Sequence, residues 1–181
     1  MANDLTGNPW VCDTVGLLWD GPICIKQMIF FPNAAGNGAV FYTYDPTSPL
    51  CETSGATTTV ATGVITSTGA FTTAKVTAYG VIEIGQRSVK STGAVSSNVG
   101  KKRLIASRDS DNQITTAPTD LTDEASAVYY FKTYTPLKRI VIESAGTEKL
   151  TETVYFPGEG LHLPNLVLAT MDDSCAVHIF I

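Results

Sequence analysis

Apolar and polar residues alternate in short runs along this chain, and the runs are rich in the β-branched and aromatic side chains of strands. Residues 23–31 (ICIKQMIFF) form a long β-prone run, too apolar for a surface strand. Residues 39–44 (AVFYTY) follow a connector of Pro, Asn, Ala and Gly, so the two runs predict a β-hairpin with a long loop. Further strands are predicted over 137–142, 153–156, 161–168 and 176–181. Pro164 inside the third of these marks an edge strand or a bulge. The last run closes on Ile179-Phe180-Ile181, which predicts a strand paired in a sheet.

Between residues 49 and 133 the texture changes. Residues 53–77 alternate Thr, Ala and Gly with Val60, Val64, Ile65, Phe71 and Val76. Thr favours strands, so this stretch reads as short strands with flat polar faces, turning at Gly63 and Gly69. A low-complexity disordered linker is the competing reading, opposed by the regular return of apolar residues. Residues 79–84 (YGVIEI) are the best strand here, while 96–100 and 109–118 read as loops. One helix is predicted, a turn or two within 120–130, capped by Thr119 or Asp120 with Asp123 and Glu124 near its start. No helical stripe is long enough for a bundle. The pattern predicts an all-β protein, an antiparallel β-sandwich or jelly-roll-like body. Residues 1–48 and 134–181 would form the core sandwich, and 49–133 an inserted Thr/Gly-rich β-subdomain or arm. Gly21-Pro22-Ile23 and Thr135-Pro136-Leu137 echo one another weakly, as two strand starts after a proline would.

At 181 residues the chain is long enough to bury a core without disulfide or metal. Charged residues are only 16%, well below the usual ~25%, with Thr, Ser, Gly and Ala in their place. Such a mild surface suits extensive contact with other protein. A net charge of −5 opposes nucleic-acid binding, which needs a Lys/Arg surplus on one face. No apolar run spans a membrane, and the first residues lack the pattern of a signal peptide.

Candidate chemistry is sparse. Cys12, Cys24, Cys51 and Cys175 show no CxxC spacing, and Cys24 and Cys175 read as small buried hydrophobes. His162 and His178 alternate with apolar neighbours, as on the solvent face of a strand. Asp109-Ser110-Asp111-Asn112 begins like a calcium loop, but Ile114 and Asp120 stand where Gly and Glu are needed. Asp172-Asp173 with Glu159 could imitate a glycosidase carboxylate pair, though a turn is the more economical reading. Lys101-Lys102-Arg103 with Arg108, Arg87 and Lys90 is either a docking patch or a solvated loop. Trp10, Trp19, Phe30, Phe31, Phe41, Tyr42, Tyr44, Tyr129, Tyr130 and Tyr134 divide between core and a conceivable sugar-stacking platform, and the sequence does not sort them. No catalytic, cofactor or metal residue is nominated.

Two sets of motifs carry a resemblance. The first is Asn8-Pro9-Trp10-Val11, Asp13-Thr14 and Gly21-Pro22 leading to Ile25-Lys26. The second is Glu143-Ser144, Gly160-Leu161-His162-Leu163-Pro164 with Leu166, and residues 177–181. Together they resemble the opening and closing parts of a group of small, uncharacterised β-rich structural proteins encoded in tailed-phage and prophage genomes. The resemblance spans residues 5–45 and 137–181; this chain departs from it by the large insertion between. A hairpin tip tolerates such an insertion because loop closure costs grow slowly with length.

The resemblance implies a virion protein made in the host cytoplasm. The leading expectation is a capsid decoration (cement) protein on the capsid exterior, a homotrimer bound to the major capsid protein or another virion protein. It would bind neither nucleic acid nor membrane and need no cofactor. The alternative is a receptor- or carbohydrate-binding module of a tail fibre or spike, recognisable by coplanar exposed aromatics in a groove. An enzyme such as a glycosidase is the third reading, and the carboxylate pair it requires is not evident.

Overall fold

A computed structural model describes residues 3–53, 55–144 and 150–181. The protein is all-β: these residues hold no helix and eighteen strands, which pair antiparallel. In chain order they are β1 Trp10–Cys12, β2 Gly16–Trp19, β3 Ile23–Ile25, β4 Gln27–Phe31, β5 Gly38–Tyr44, β6 Cys51–Glu52, β7 Ala56–Ala61, β8 Val64–Ser67 and β9 Val81–Ile84. Then come β10 Lys102–Ser110, β11 Gln113–Ala117, β12 Glu124–Tyr129, β13 Phe131–Tyr134, β14 Pro136–Glu143, β15 Glu152–Tyr155, β16 Leu161–Leu163, β17 Leu166–Met171 and β18 Ala176–Phe180. The chain divides into two compact units: Met1–Thr43 with Lys138–Ile181, and Tyr44–Leu137. Those divisions lie a few residues outside the limits read from sequence texture: Tyr44 and Tyr134, whose rings pack at a 44° tilt with centroids 5.2 Å apart, both belong to the inner segment.

The unit built from the two outer segments is a β-sandwich. One sheet has the order β1-β18-β4-β15, the other β14-β5-β17-β2, and β3 and β16 form a separate two-stranded ribbon. Trp10, Cys12, Met28, Phe30, Val177 and Ile179 from the first sheet share one core with Leu18, Phe41, Ile142, Leu166 and Leu168 from the second. Alternation decides which side chains meet there: β4 buries Met28 and Phe30 and leaves Phe31 exposed.

Three expectations are corrected here. The run 23–31 is broken at Lys26, and 161–168 is broken after Leu163 at Pro164-Asn165, so each supplies two strands in different sheets. The predicted hairpin of the first two long runs does not form. β4 and β5 lie in opposite sheets, because both runs carry enough apolar residues to serve one core from two sides. Cys24 is half-buried, not a core residue, since it alternates with the inward Ile23 and Ile25.

The inner unit is one eight-stranded sheet, β12-β7-β8-β11-β10-β9-β13-β6. Only Tyr130 separates β12 from β13, yet these strands stand at opposite reaches of that order. The sheet must therefore curl. Tyr129 and Phe131 pack edge to face inside the curl, 5.7 Å apart, and Phe71 lies 5.6 Å from Phe131. Val60, Ile65, Ile82, Ile84, Ile105 and Ile114 complete the core. The Thr-rich stretch supplies the paired strands β7 and β8 of this sheet, with Thr58 and Val60 turned inward and Thr57 and Thr59 outward. Thr58 and Ser67 satisfy their inward hydroxyls on the carbonyls of Ala56 and Thr57. The predicted helix is instead β12, drawn into pairing with β7, and the loop read over 109–118 is mostly β11 in a hairpin with β10. The strand read from residue 79 begins at Val81: Tyr79 sits at φ 64° and Gly80 turns the chain. A Cβ on Gly80 would lie 2.4 Å from the Tyr134 carbonyl oxygen.

A buried polar cluster ties the inner sheet to its loops. The Tyr129 hydroxyl donates to Glu124 (2.8 Å) and accepts from Asn98 (2.7 Å) and Ser96 (3.1 Å). Asn98 also donates to the Thr122 carbonyl and accepts from the Thr122 N–H, while the Ser97 N–H donates to Glu124. Burial pushes the Glu124 carboxyl upward, but donation from Ser97 and Tyr129 and the Lys90 ammonium 3.9 Å away outweigh it and hold the group below its usual range. Burial raises the Tyr129 phenol.

Two predictions follow from these contacts. Gly80→Ala forces backbone apart at β9 and β13 and costs more than 1 kcal/mol of urea-unfolding stability. Glu124 binds its proton less readily folded than unfolded, so its stabilisation is whole above the ordinary glutamate pKa and is lost as pH falls through the depressed folded value. Glu124→Gln flattens this acid limb of stability against pH, and an unchanged limb contradicts the assignment.

Candidate functional site

The ribbon of β3 and β16 places side chains on the outer surface of the sandwich. Its register pairs Leu163 with Ile23, His162 with Cys24 and Leu161 with Ile25. Ile23, Ile25 and Leu163 turn into the core. Their alternates Cys24 and His162 therefore emerge together, with the Cys24 Sγ 3.8 Å from His162 Nε2. The thiol donates to the Glu159 carbonyl at 2.9 Å, and the Lys26 ammonium donates to the same oxygen at 2.7 Å.

Two adjoining hollows meet on this ribbon and share Pro22, Ile23 and Cys24. One, of about 440 Å³, continues over His162, Leu163 and Pro164. The other, of about 330 Å³, continues over Trp10, Trp19 and Ile181. The result is an apolar groove with an aromatic end. Trp10 is buried, while Trp19 is 44% exposed; their rings lie 5.5 Å apart at 44°. The Trp19 indole N–H donates to the Pro22 carbonyl, which fixes the ring at the rim. Asn8 binds Ile181 twice, donating to its carbonyl (3.0 Å) and accepting from its N–H (3.3 Å), and so holds that edge of the groove. The groove is thus lined from both outer segments: Trp10 and Pro22 come from the first motif set, His162, Leu163, Pro164 and Ile181 from the second.

Gly160 leads the chain into β16 at φ 89°, where a Cβ would come within 2.8 Å of both the Cys24 Sγ and the Ile25 carbonyl oxygen. Only glycine permits that approach.

The other candidates resolve locally. Arg103 holds Asp120 through two hydrogen bonds (2.6 and 2.7 Å), and this donation lowers the Asp120 carboxyl. Lys102 stands 3.8 Å from Glu83, Lys90 is paired with Glu124, Arg87 lies over the Tyr130 ring, and Arg108 pairs with Asp111. The basic residues are thus tied to neighbours within the inner unit. Asp109 accepts from Ser107 and Thr115, and Asp172 from the Gly38 N–H. Among the described residues no three His, Cys, Asp or Glu side chains gather as a metal site would require. Of the aromatics, Trp10, Phe30, Phe41, Tyr44, Tyr129 and Tyr134 are buried, Tyr42 and Tyr130 half-buried, and Trp19 and Phe31 exposed. His178 lies against Phe31, 4.6 Å between ring centres. Tyr155 is 69% exposed, and nothing in its run marks it out, since residues 153–156 read as an ordinary short strand.

No protein-family model matches this chain, and no curated protein and no solved structure matches it either.

The cysteines separate by environment. Burial, with the Asp13 charge beside it, pushes the Cys12 thiol up to about 12, and Cys175 is also buried. Cys24 and Cys51 are half-buried. A disulfide reagent at mildly alkaline pH is expected to label Cys24 and Cys51 in the native protein, and Cys12 and Cys175 only after unfolding. Rapid native labelling of Cys12 would contradict its burial.

Proposed function

We propose that this protein is a structural component of a tailed-phage virion, a capsid decoration (cement) protein that docks as an oligomer on the outer capsid surface. The observation that carries the reading is the groove. Trp10 and Pro22 of the first motif set and His162, Leu163, Pro164 and Ile181 of the second come from two distant segments and meet on this surface. A surface assembled in this way is suited to attachment. Its lining of Trp, Pro, Ile and Leu favours an extended apolar segment of the major capsid protein or another virion protein. The groove presents few hydrogen-bonding side chains to a sugar, and the two indoles are tilted with one of them buried, unlike a flat stacking platform. These features favour a protein partner over a glycan. Many weak grooves engaged at once on a particle give tight attachment through multivalency.

Immunogold labelling of purified particles tests the location: label spread over the head supports decoration, and label confined to the tail tip moves the protein to a fibre or spike. Rebinding of purified protein to stripped particles tests the groove. Trp19→Ala removes an exposed aromatic anchor and is expected to weaken rebinding about 30-fold, the scale of a ~2 kcal/mol hot spot. Full rebinding by this variant would exclude the groove as the docking surface.

A further inference from the structure

β14 ends one sheet of the sandwich: β5 lies on one side of it, and no strand lies on the other among the described residues. At eight residues it is a long edge. Its direction can be read from two hydrogen bonds. The Lys138 N–H donates to the Thr43 side-chain hydroxyl and the Ser144 N–H to the Asn37 carbonyl, both on the β5 side. The intervening residues Arg139, Val141 and Glu143 therefore turn their N–H and C=O groups outward. Their side chains are exposed, Val141 at 41%, while Ile140 and Ile142 face the core.

We propose that this edge pairs antiparallel with the same edge of a second copy, about a two-fold axis at Val141. Antiparallel pairing of outward-turned residues admits a few registers, and charge selects among them. Centring on Arg139 sets Arg139 against Arg139 of the second copy. Centring on Ile140 sets Arg139 against Val141. Centring on Val141 sets Arg139 opposite Glu143 twice, one pair on each side of the axis, with Val141 meeting Val141 between them. The same register puts Ile140 opposite Ile142 on the inner face, so the apolar layer of each sandwich continues across the junction. A self-complementary strand of this kind gives a closed two-fold dimer, because each copy offers one edge to the other. The inference goes beyond the virion reading and concerns the protein in solution.

Size-exclusion chromatography with light scattering on the full chain tests it. Wild type is expected to have twice the 19.2 kDa chain mass at micromolar concentration. Arg139→Glu and Glu143→Arg each place like charges opposite one another twice and are expected to weaken the dimer about tenfold or more. The double variant restores both pairs with their signs exchanged and recovers the dimer. Val141→Pro removes an N–H that only the dimer uses, so it should give folded monomer; thermal melting of each variant shows that it has folded. A monomeric or trimeric wild type, single variants as dimeric as wild type, or a double variant that fails to recover would each overturn the proposal.

Discussion

The pairing of β18 with both β1 and β4 is the constraint on which the sandwich depends. Trp10 lies opposite Ile179, and Ile179 opposite Met28, so residues far apart in the chain share one sheet and one core. Until β18 is in place, β1 is not joined to its sheet, and Phe41 and Leu168 of the facing sheet lack the part of their partner layer that Val177 and Ile179 supply. Loop closure on this scale is an entropic debt that must be met before the apolar contacts return anything. Burial of Cys12, Met28, Phe30, Phe41, Val177 and Ile179 to complete exclusion from water is what offsets it.

The inner segment resolves a different problem. Its strands are poor in bulky residues on one face and rich in Thr, and a flat sheet of that kind would leave long edges. Because only Tyr130 joins β12 to β13, the two reaches of the sheet are held together and a single sheet encloses its own core, with Tyr129 against Phe131. The Glu124–Tyr129–Asn98 cluster then fastens the strand to the turns around residues 96–98 and 122. Among the described residues no buried side-chain nitrogen or oxygen lacks a hydrogen-bond partner, which is the condition for a polar cluster to add rigidity instead of cost.

The groove and the free edge of β14 belong to the same sandwich, and both arise from how its strands alternate. Where a two-stranded ribbon is too narrow to be covered on both faces, Cys24 and His162 are left beside the prolines and the exposed indole. Where a sheet stops at β14, its last strand has a neighbour on one side only among the described residues. A surface with little charge makes both features available to other protein, because less water must be stripped from fixed charges when they are covered.

The strand content, the all-β class and the paired closing strand were legible in the sequence because period-two alternation and β-branched runs are local signals. So was the contrast between the outer segments and the Thr-rich middle. What a local signal cannot carry is the partner. Residues 120–130 hold capping residues that suit a short helix, yet β7 pairs with residues 124–129 on either side of a bulge between Glu124 and Ala127, and that pairing prevails. Residues 23–31 and 39–44 read as neighbours because they are close in sequence, but each is apolar enough to close the core from opposite sides, and packing parts them. The groove was out of reach for the same reason. Nothing local in the sequence places Trp10, Pro22, Leu163 and Ile181 together, and only the meeting of the two outer segments makes them one surface.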